Sequence, residues 1–539
     1  MTREERKTPM MIGEEEIRTF TRILEAYKAG KQQTERRIVS SENWWKLRNT
    51  SEERKNVKIG ADGGFVSASG WLHNVIVSKH ADTMDAYPEP HILPREENDT
   101  KEADTLSAII PCILEQNHFE ETFSDVMWQK LKTGTGVYKI VWDPAKHDGL
   151  GDIAVVKTNL LNIYWEPGIT DIQKSRYVFH TELCDTDILE EEYPALRGKH
   201  KTDSFVSTKF LYDDHVNTSG KTTVIEVYYH KRKNGKKILH YCKYAGDTVL
   251  YATENEPYLC ERGLYDHGLY PYVFDVLFPI EGSPCGYGYI DLCRNPQTEI
   301  DLLKTSFIKN TMVGATPRYF SRGDGSVNEE EFLDLSKPIV HVKNTDEDSL
   351  RRIDYVPLNG NYLDMLDRTV QELRETSGNT QTSTGNLNSG VTAASAIIAL
   401  QEASGKGIRD SLHTAYCAYT RLVEICIELI RQFYDMPRKF RILGKYGEGN
   451  YIRYTNEALL ADFSDEDFRL RLPVFDIRVS ARKKSEYIKA AQNDLALRLF
   501  QCGFFDESRT PEALLCLDMM EFEGKDEMER RLREMKNED

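Results

Sequence analysis

The 539-residue sequence has no surplus of positive charge: 70 Lys and Arg stand against 87 Asp and Glu, a net charge of −17. That balance excludes a protein that wraps nucleic acid by neutralising phosphates, a mode that needs a net basic surface. It does not exclude one that lets nucleic acid pass without gripping it. Long apolar runs are also missing. The longest, such as Ala108-Ile-Ile-Pro-Cys-Ile-Leu114, falls short of the roughly 18 residues that cross a bilayer, so no membrane partner is expected. The opening MTREERKTPMMIGEEE has charges but no apolar core, so no secretory leader is expected. The ten Cys include no C-x-x-C pair, which reads as reduced thiols in a cytosolic setting. On that reading the glycosylation triplets at Asn49 and Asn98 are chance matches.

Catalytic signatures are absent as well. The 13 His form no H-E-x-x-H pattern and have no Cys partner at zinc spacing. His147 beside Asp143 and Asp148 comes nearest to a metal cluster, but it sits in a Pro/Gly turn where Asp is expected for local hydrogen bonding. No G-x-S-x-G elbow occurs. Two stretches imitate phosphate loops. In Thr133-Gly-Thr-Gly-Val-Tyr-Lys139 the Lys lies three residues after the last Gly, within a strand pattern. In Gly405-Lys-Gly407 the magnesium-binding Ser/Thr is replaced by Gly407, and Leu400 stands at the first glycine position. Asp465-Glu-Asp467 reads as a helix start or solvated loop, Arg322-Gly-Asp324 as a turn, and Trp44, Trp45 and Trp165 as core rather than base-stacking residues. No catalytic set, metal centre or cofactor is expected.

What is present is a well-mixed globular composition. Hydrophobic residues make up 40 % and aromatics 10 %, with 28 Tyr, which excludes global disorder. The length suggests three or four structural units. Roughly the first 60 residues are polar and helical. Helical spacing returns between Gly63 and Tyr87, where Pro88 and Pro90 stop it, and twice between Thr100 and Lys132. The turn Thr133-Gly-Thr-Gly136 then hands the chain to strands. Strand-like runs follow at Val137–Trp142, Ile153–Val156, Asn162–Trp165, Tyr177–His180, Thr222–Tyr229, Lys237–Tyr244 and Tyr270–Phe278.

Helix resumes over Ile290–Asn310 and Asn361–Thr376, bracketing an insert with alternation at Pro338–Val342. Ser377–Val391 carries no charge and, before its closing Val, only Leu387 as a large apolar residue, so it is expected to be a flexible loop. The longest helical signal runs from Thr392 to Tyr434. One face is formed by Ile408, Leu412, Tyr416, Tyr419, Leu422, Val423, Cys426, Ile430 and Phe433. Strands are expected again at Lys439–Leu443 and Val474–Val479, and helix from Ser485 onward. No repeat of 20–50 residues is visible.

The order of these parts is distinctive. Gly134-Thr-Gly-Val-Tyr-Lys-Ile-Val-Trp142, Asn162-Ile-Tyr-Trp-Glu-Pro-Gly168 and Arg176-Tyr-Val-Phe-His180 come first. Gly286-Tyr-Gly-Tyr-Ile290 follows, with Pro296-Gln297 opening a helix; then come a small insert, a second helix, a polar loop, Ser389-Gly-Val-Thr-Ala-Ala-Ser395 and a very long helix. Over nearly the whole chain this resembles the portal proteins of tailed bacteriophages, the head-to-tail connectors. The resemblance implies an α+β, portal-like fold with a helical and β-rich wing, two stem helices, a small α/β clip, a long wing helix and a helical C-terminal crown. It implies an N-terminal arm and wing at 1–285, stem helix 1 at 286–312 and the clip at 313–357. Stem helix 2 would lie at 358–377, the tunnel loop at 378–391, the long helix and wing completion at 392–483, and the crown at 484–539.

The function implied is a homo-oligomeric ring, dodecameric in the virion, at one capsid vertex. It would be the channel for packaging and ejecting double-stranded DNA, which passes non-specifically, and would assemble in the host bacterial cytoplasm. Implied partners are the large terminase, which supplies the ATPase, a head–tail adaptor, and the major capsid and scaffolding proteins. The implied channel residues are Asn379, Thr380, Gln381, Thr382, Asn386 and Asn388 of the tunnel loop. Their side chains can hydrogen-bond phosphates without a fixed charge, a departure from portals with Lys in this loop. Candidate channel cations are Lys304 and Lys309 on the first stem helix and Arg368 and Arg374 on the second; solvated or inter-subunit ion pairs are an equal reading for them. An oligomeric virion or head–tail structural protein with no conduit role is the alternative function, and a nucleic-acid enzyme a third. Repeated around such a ring the acidic charge is compatible with a channel, since repulsive or neutral walls prevent the adhesion that basic walls would cause, whichever way the acids face.

Overall fold

The computed structural model describes residues 12–47, 67–199, 220–233, 235–315, 319–321, 328–333, 341, 350–352, 357–379, 406–443, 449–463, 470–481 and six positions beyond 497. The expected motifs at 322–325, 380–405 and 464–467 lie outside these residues, as do most of the implied tunnel loop and crown and the alternation at Pro338–Val342 apart from His341. The chain divides into two compact units, Met1–Ala81 with Pro90–Val479, and Asp82–Glu89 with Ser480–Asp539. In the second unit the described residues include the last turn of a helix, where the Ala86 amide donates to the Thr83 carbonyl at 3.2 Å.

Ten helices are described: α1 Glu14–Trp45, α2 Trp71–Asp85, α3 Thr100–Gln116, α4 Phe119–Thr133, α5 Thr186–Glu192, α6 Leu259–Arg262, α7 Tyr289–Ala315, α8 Glu329–Leu333, α9 Asn361–Ser377 and α10 Lys406–Phe433. α1 starts where three acids meet its positive end. Glu16 turns back to accept from the Gly13 amide at 2.9 Å, satisfying a donor that no earlier turn can reach. Its buried positions Ile17, Phe20, Leu24 and Tyr27 step by three or four and press on the five-stranded sheet. That antiparallel sheet runs in the order Ile163–Trp165, Tyr177–Asp185, Lys221–Lys233, Lys236–Ala245, Thr248–Ala252. A three-stranded sheet places Thr135–Asp143 between Asp152–Lys157 and Tyr272–Val276. The half-buried edge strand Thr248–Ala252 and the strand Gly449–Tyr454, which pairs with Arg438–Leu443, were not expected from the sequence.

The two sheets meet across a polar centre. Lys139 of one reaches Glu226 of the other at 2.6 Å, and His180 and the Tyr241 hydroxyl bond the same carboxylate at 3.1 and 3.0 Å. Burial pushes Glu226 up, but Lys139 and His180 outweigh it and hold the carboxyl well below the usual carboxylate range. Nearby, burial pushes the imidazoles of His230 and His267 down to about 4. Their unfolded pKa is near 6.5, so the unfolded chain takes up protons first as the pH falls, and stability present above about 6.5 is lost toward 4. Between pH 7 and 5 we expect each to contribute a loss of about 1 kcal/mol, reduced from the ideal value because both rings are partly exposed. Urea midpoints at pH 7, 6 and 5 check this; His230→Gln should flatten the slope, and a slope equal to the wild type's would refute it.

Two expectations change in detail. Pro296 does not open the first long helix of the middle region: α7 begins at Tyr289 and runs through Pro296 to Ala315. The reason is local. Gly286–Tyr287 is a short strand paired with Phe278–Pro279, and Asp291 accepts from the Gly288 amide at 3.3 Å, so the helix nucleates there. Second, the buried positions early in α10 are Ser411, Ala415, Ala418 and Tyr419, while Ile408, Leu412 and Tyr416 are only half-buried. A buried lysine from α4 seats on Ser411 and Thr414 and rotates that face inward. Within the 313–357 insert the described residues form a two-stranded pair, Tyr319–Ser321 with Leu350–Arg352, and α8, whose Phe332 meets Tyr319 edge-on at 4.9 Å.

Candidate functional site

α7 and α9 are the two helices that bracket the insert, and they pack side by side. Ile300 and Leu373 join Trp44, Leu72, Val75, Ile76, Leu131 and Tyr289 in one buried cluster, with Leu366 and Val370 packed against it. α7 also buries a polar stripe, Gln297, Asp301 and Thr305, at four-residue spacing. This stripe receives the segment that enters α2. The Ser67 amide donates to Thr305 Oγ1 at 2.9 Å, the Ser69 amide to Asp301 Oδ1 at 2.9 Å, and the Leu72 amide to Gln297 Oε1 at 3.3 Å. Gly70, just before α2, has no side chain with which to cap the helix, so α7 supplies the acceptors.

At its far end α9 closes in a Schellman arrangement. Gly378 is left-handed at φ 65°, its amide donates to Glu375 O at 3.0 Å, and the Asn379 amide reaches back to Arg374 O at 2.9 Å. α2 supports this turn from the side. Lys79, 2 % exposed, donates from Nζ to the Gly378 carbonyl at 3.2 Å, and the Ser78 hydroxyl donates to Asn379 Oδ1 at 3.2 Å.

Of the sequence-derived site residues, five are described. Asn379 is 5 % exposed and forms the root of the polar loop. Thr380, Gln381, Thr382, Asn386 and Asn388 lie outside the described residues. Lys304 and Arg374 line one cleft of about 790 Å³ between α7 and α9, with Trp71 on its wall. Arg374 places its guanidinium 5.3 Å from the centre of the Trp71 ring, a cation–π contact. Lys309 is half-buried and Arg368 exposed, and neither lines that cleft. The cations are therefore dispersed, with two of the four brought together. Both helices carry large apolar residues exposed on the single chain: Phe307 and Met312 on α7, Tyr362, Leu363 and Met365 on α9.

Lys79, Ser78, Gln297 and Asp301 escaped the reading of the sequence. A signal for Lys79 was present: Leu72, Val75, Ile76 and Lys79 share one helical face, and a lysine on an apolar stripe calls for a buried acceptor. Two of the other motifs have structural explanations. Lys139 of the glycine-rich stretch is committed to Glu226, and His147 Nε2 lies 3.0 Å from Asp152 Oδ2. Among the described residues no cluster of His, Cys, Asp or Glu could hold a metal ion, and no helix is long and apolar enough to cross a membrane. Trp44 and Trp165 are buried, and Trp45 stacks on His73 at 4.2 Å.

The glycine motifs meet each other. Gly134 ends α4 in the left-handed region at φ 88°, and a Cβ there would fall 2.5 Å from the Tyr287 amide nitrogen. A Cβ on Gly288 would fall 2.5 Å from the Lys132 carbonyl oxygen. The strand that enters the β unit and the strand that enters α7 thus touch through bare backbone. A family model described as "Phage P22-like portal protein" matches residues 82–539. No curated protein matches the chain.

Proposed function

Because the chain belongs to the phage P22-like portal protein family, a structural family of the phage head, we propose that it forms the DNA channel at one capsid vertex. In this reading copies of the chain close into a ring, twelve in the virion, assembled in the host bacterial cytoplasm. Double-stranded DNA enters during packaging and leaves during ejection, without sequence-specific contact. α7 and α9 serve as the stem helices and 313–357 as the clip that meets the large terminase and then a head–tail adaptor. The rim would engage the major capsid and scaffolding proteins.

The observation that carries the reading is the family match over most of the chain. The exposed Phe307, Met312, Tyr362, Leu363 and Met365 support assembly, because such apolar surface on paired helices is covered when a heterologous contact repeats around an axis. The uncharged Thr380, Gln381, Thr382, Asn386 and Asn388 would line the narrow part of the channel, with Asn379 as their anchor. Lys304, Lys309 and Arg368 are candidate wall cations. Arg374, seated on Trp71, is the least available to DNA.

Electron micrographs of the purified full chain should show rings with a central hole. Phage carrying the chain with residues 380–389 replaced by a Gly/Ser linker should make capsids with rings but lose DNA-filled heads by about a hundredfold, since the lost segment would act only in DNA passage. A stable monomer under every assembly condition would overturn the reading, and undiminished DNA filling would remove the loop from it.

A further inference from the structure

Two helix ends are each held by a charged side chain from a neighbouring helix, and the two arrangements share α2. At its amino end α2 has free amides and a partial positive charge. Buried Asp301 of α7 accepts from the Ser69 amide and hydroxyl at 2.9 and 2.5 Å, while Gln297 accepts from the Leu72 amide and donates to the Ser69 carbonyl. At the carboxyl end of α9 the Schellman turn bonds the Arg374 and Glu375 carbonyls, and the partial charge is negative. There buried Lys79 of α2 places its ammonium on the Gly378 carbonyl, and Ser78 holds Asn379. A third contact, Arg374 of α9 over Trp71 at the start of α2, ties the same last turn to the opposite end of the strut.

We propose that α2 is a coupling strut, through which a displacement of the first stem helix at Asp301 is passed to Gly378 and Asn379, where the chain leaves the second. Lys79 and Asp301 are its positioning residues. Both are nearly fully buried, so neither can exchange its partner for water without moving the backbone it holds. The segment between them is a helix, which transmits a shift along its axis rather than absorbing it. The functional consequence, that the root of the polar loop moves with the stem helices, rests on the channel reading above. The coupling itself does not.

Hydrogen exchange of the full chain tests it at the amides of Gly378 and Asn379, which are bonded to the last turn of α9. Lys79→Met should speed exchange there by about tenfold, and Lys79→Arg should recover most of that protection by returning the charge. Asp301→Ala is the decisive variant. It should speed exchange at Ser69 and Leu72 and also, by about threefold or more, at Gly378 and Asn379, which Lys79 and Ser78 hold; Asp301→Asn, which keeps an acceptor, should restore both. If Asp301→Ala alters only the Ser69–Leu72 amides, the strut is refuted. Should Lys79→Met fail to fold, the Asp301 pair still decides the matter. In phage, Lys79→Met should leave rings intact and lower DNA filling. If the wild-type chain forms no ring or conducts no DNA, the channel reading fails while the exchange result stands.

Discussion

Lys130→Met is expected to lower the unfolding free energy by about 3–5 kcal/mol, the range found when one partner of a buried ion pair is removed. Lys130 and Asp275 are both 0 % exposed at the side chain and stand 2.6 Å apart. The ammonium also donates to the Ser411 carbonyl and Thr414 hydroxyl of α10, each at 2.9 Å, so one charge joins α4, the strand Tyr272–Val276 and the long helix. Burial pushes the Asp275 carboxyl up, and Lys130 is what opposes it. Without the lysine that carboxyl must be buried charged or take a proton. The proton is harder to find as the pH rises, so the variant should lose more stability at pH 7 than at pH 5. The double variant Lys130→Met, Asp275→Leu should regain most of the loss, because two apolar groups leave no stranded charge. Urea unfolding of the three chains measures this; a double variant as unstable as the single would assign the loss to packing instead.

Gly134→Ala is expected to cost more than about 4 kcal/mol or to abolish soluble expression. The residue must hold φ at 88° while its α-hydrogen faces the backbone of Tyr287. A methyl group there meets rigid main chain, which can give way only by parting the α4–strand corner from the start of α7. Gly149→Ala is the matched comparison, with φ at 94° but nothing within 4 Å of its Cβ, so it suffers backbone strain alone, about 1–2 kcal/mol. Thermal melts of both separate strain from collision. Equal losses would refute the account of why the Gly134 and Gly286–Gly288 motifs occur together.

Much of the element order was legible because it depends on local periodicity. The strands around Val137, Tyr177 and Thr222, and the paired helices 289–315 and 361–377 all repeat apolar residues at the period of their own structure. What escaped was of another kind. The edge strand Thr248–Ala252 is half-buried along most of its length, so its pattern is blurred. Pro296 looked like a helix start because proline favours first turns, whereas the paired strand at Gly286–Tyr287 set the start earlier. Apolar spacing alone puts the face of α10 through Ile408 and Leu412, since nothing nearby in sequence announces that Lys130 will claim Ser411 and Thr414 from outside.

The site divides along the same line. Lys304, Lys309, Arg368, Arg374 and Asn379 could be chosen from their positions on helices and at a loop root, but their surroundings could not. That Arg374 lies on Trp71 and Asn379 against Ser78 depends on contacts across about 300 residues of chain. The sequence by itself determined the class of elements, their order and the family, because helix, strand and turn preferences act over a few residues and the order of parts is written linearly. Only the tertiary structure decided which buried charge meets which helix end. Those pairings depend on where separate segments come to rest, and a buried lysine or aspartate is stable only beside the one backbone that can answer it.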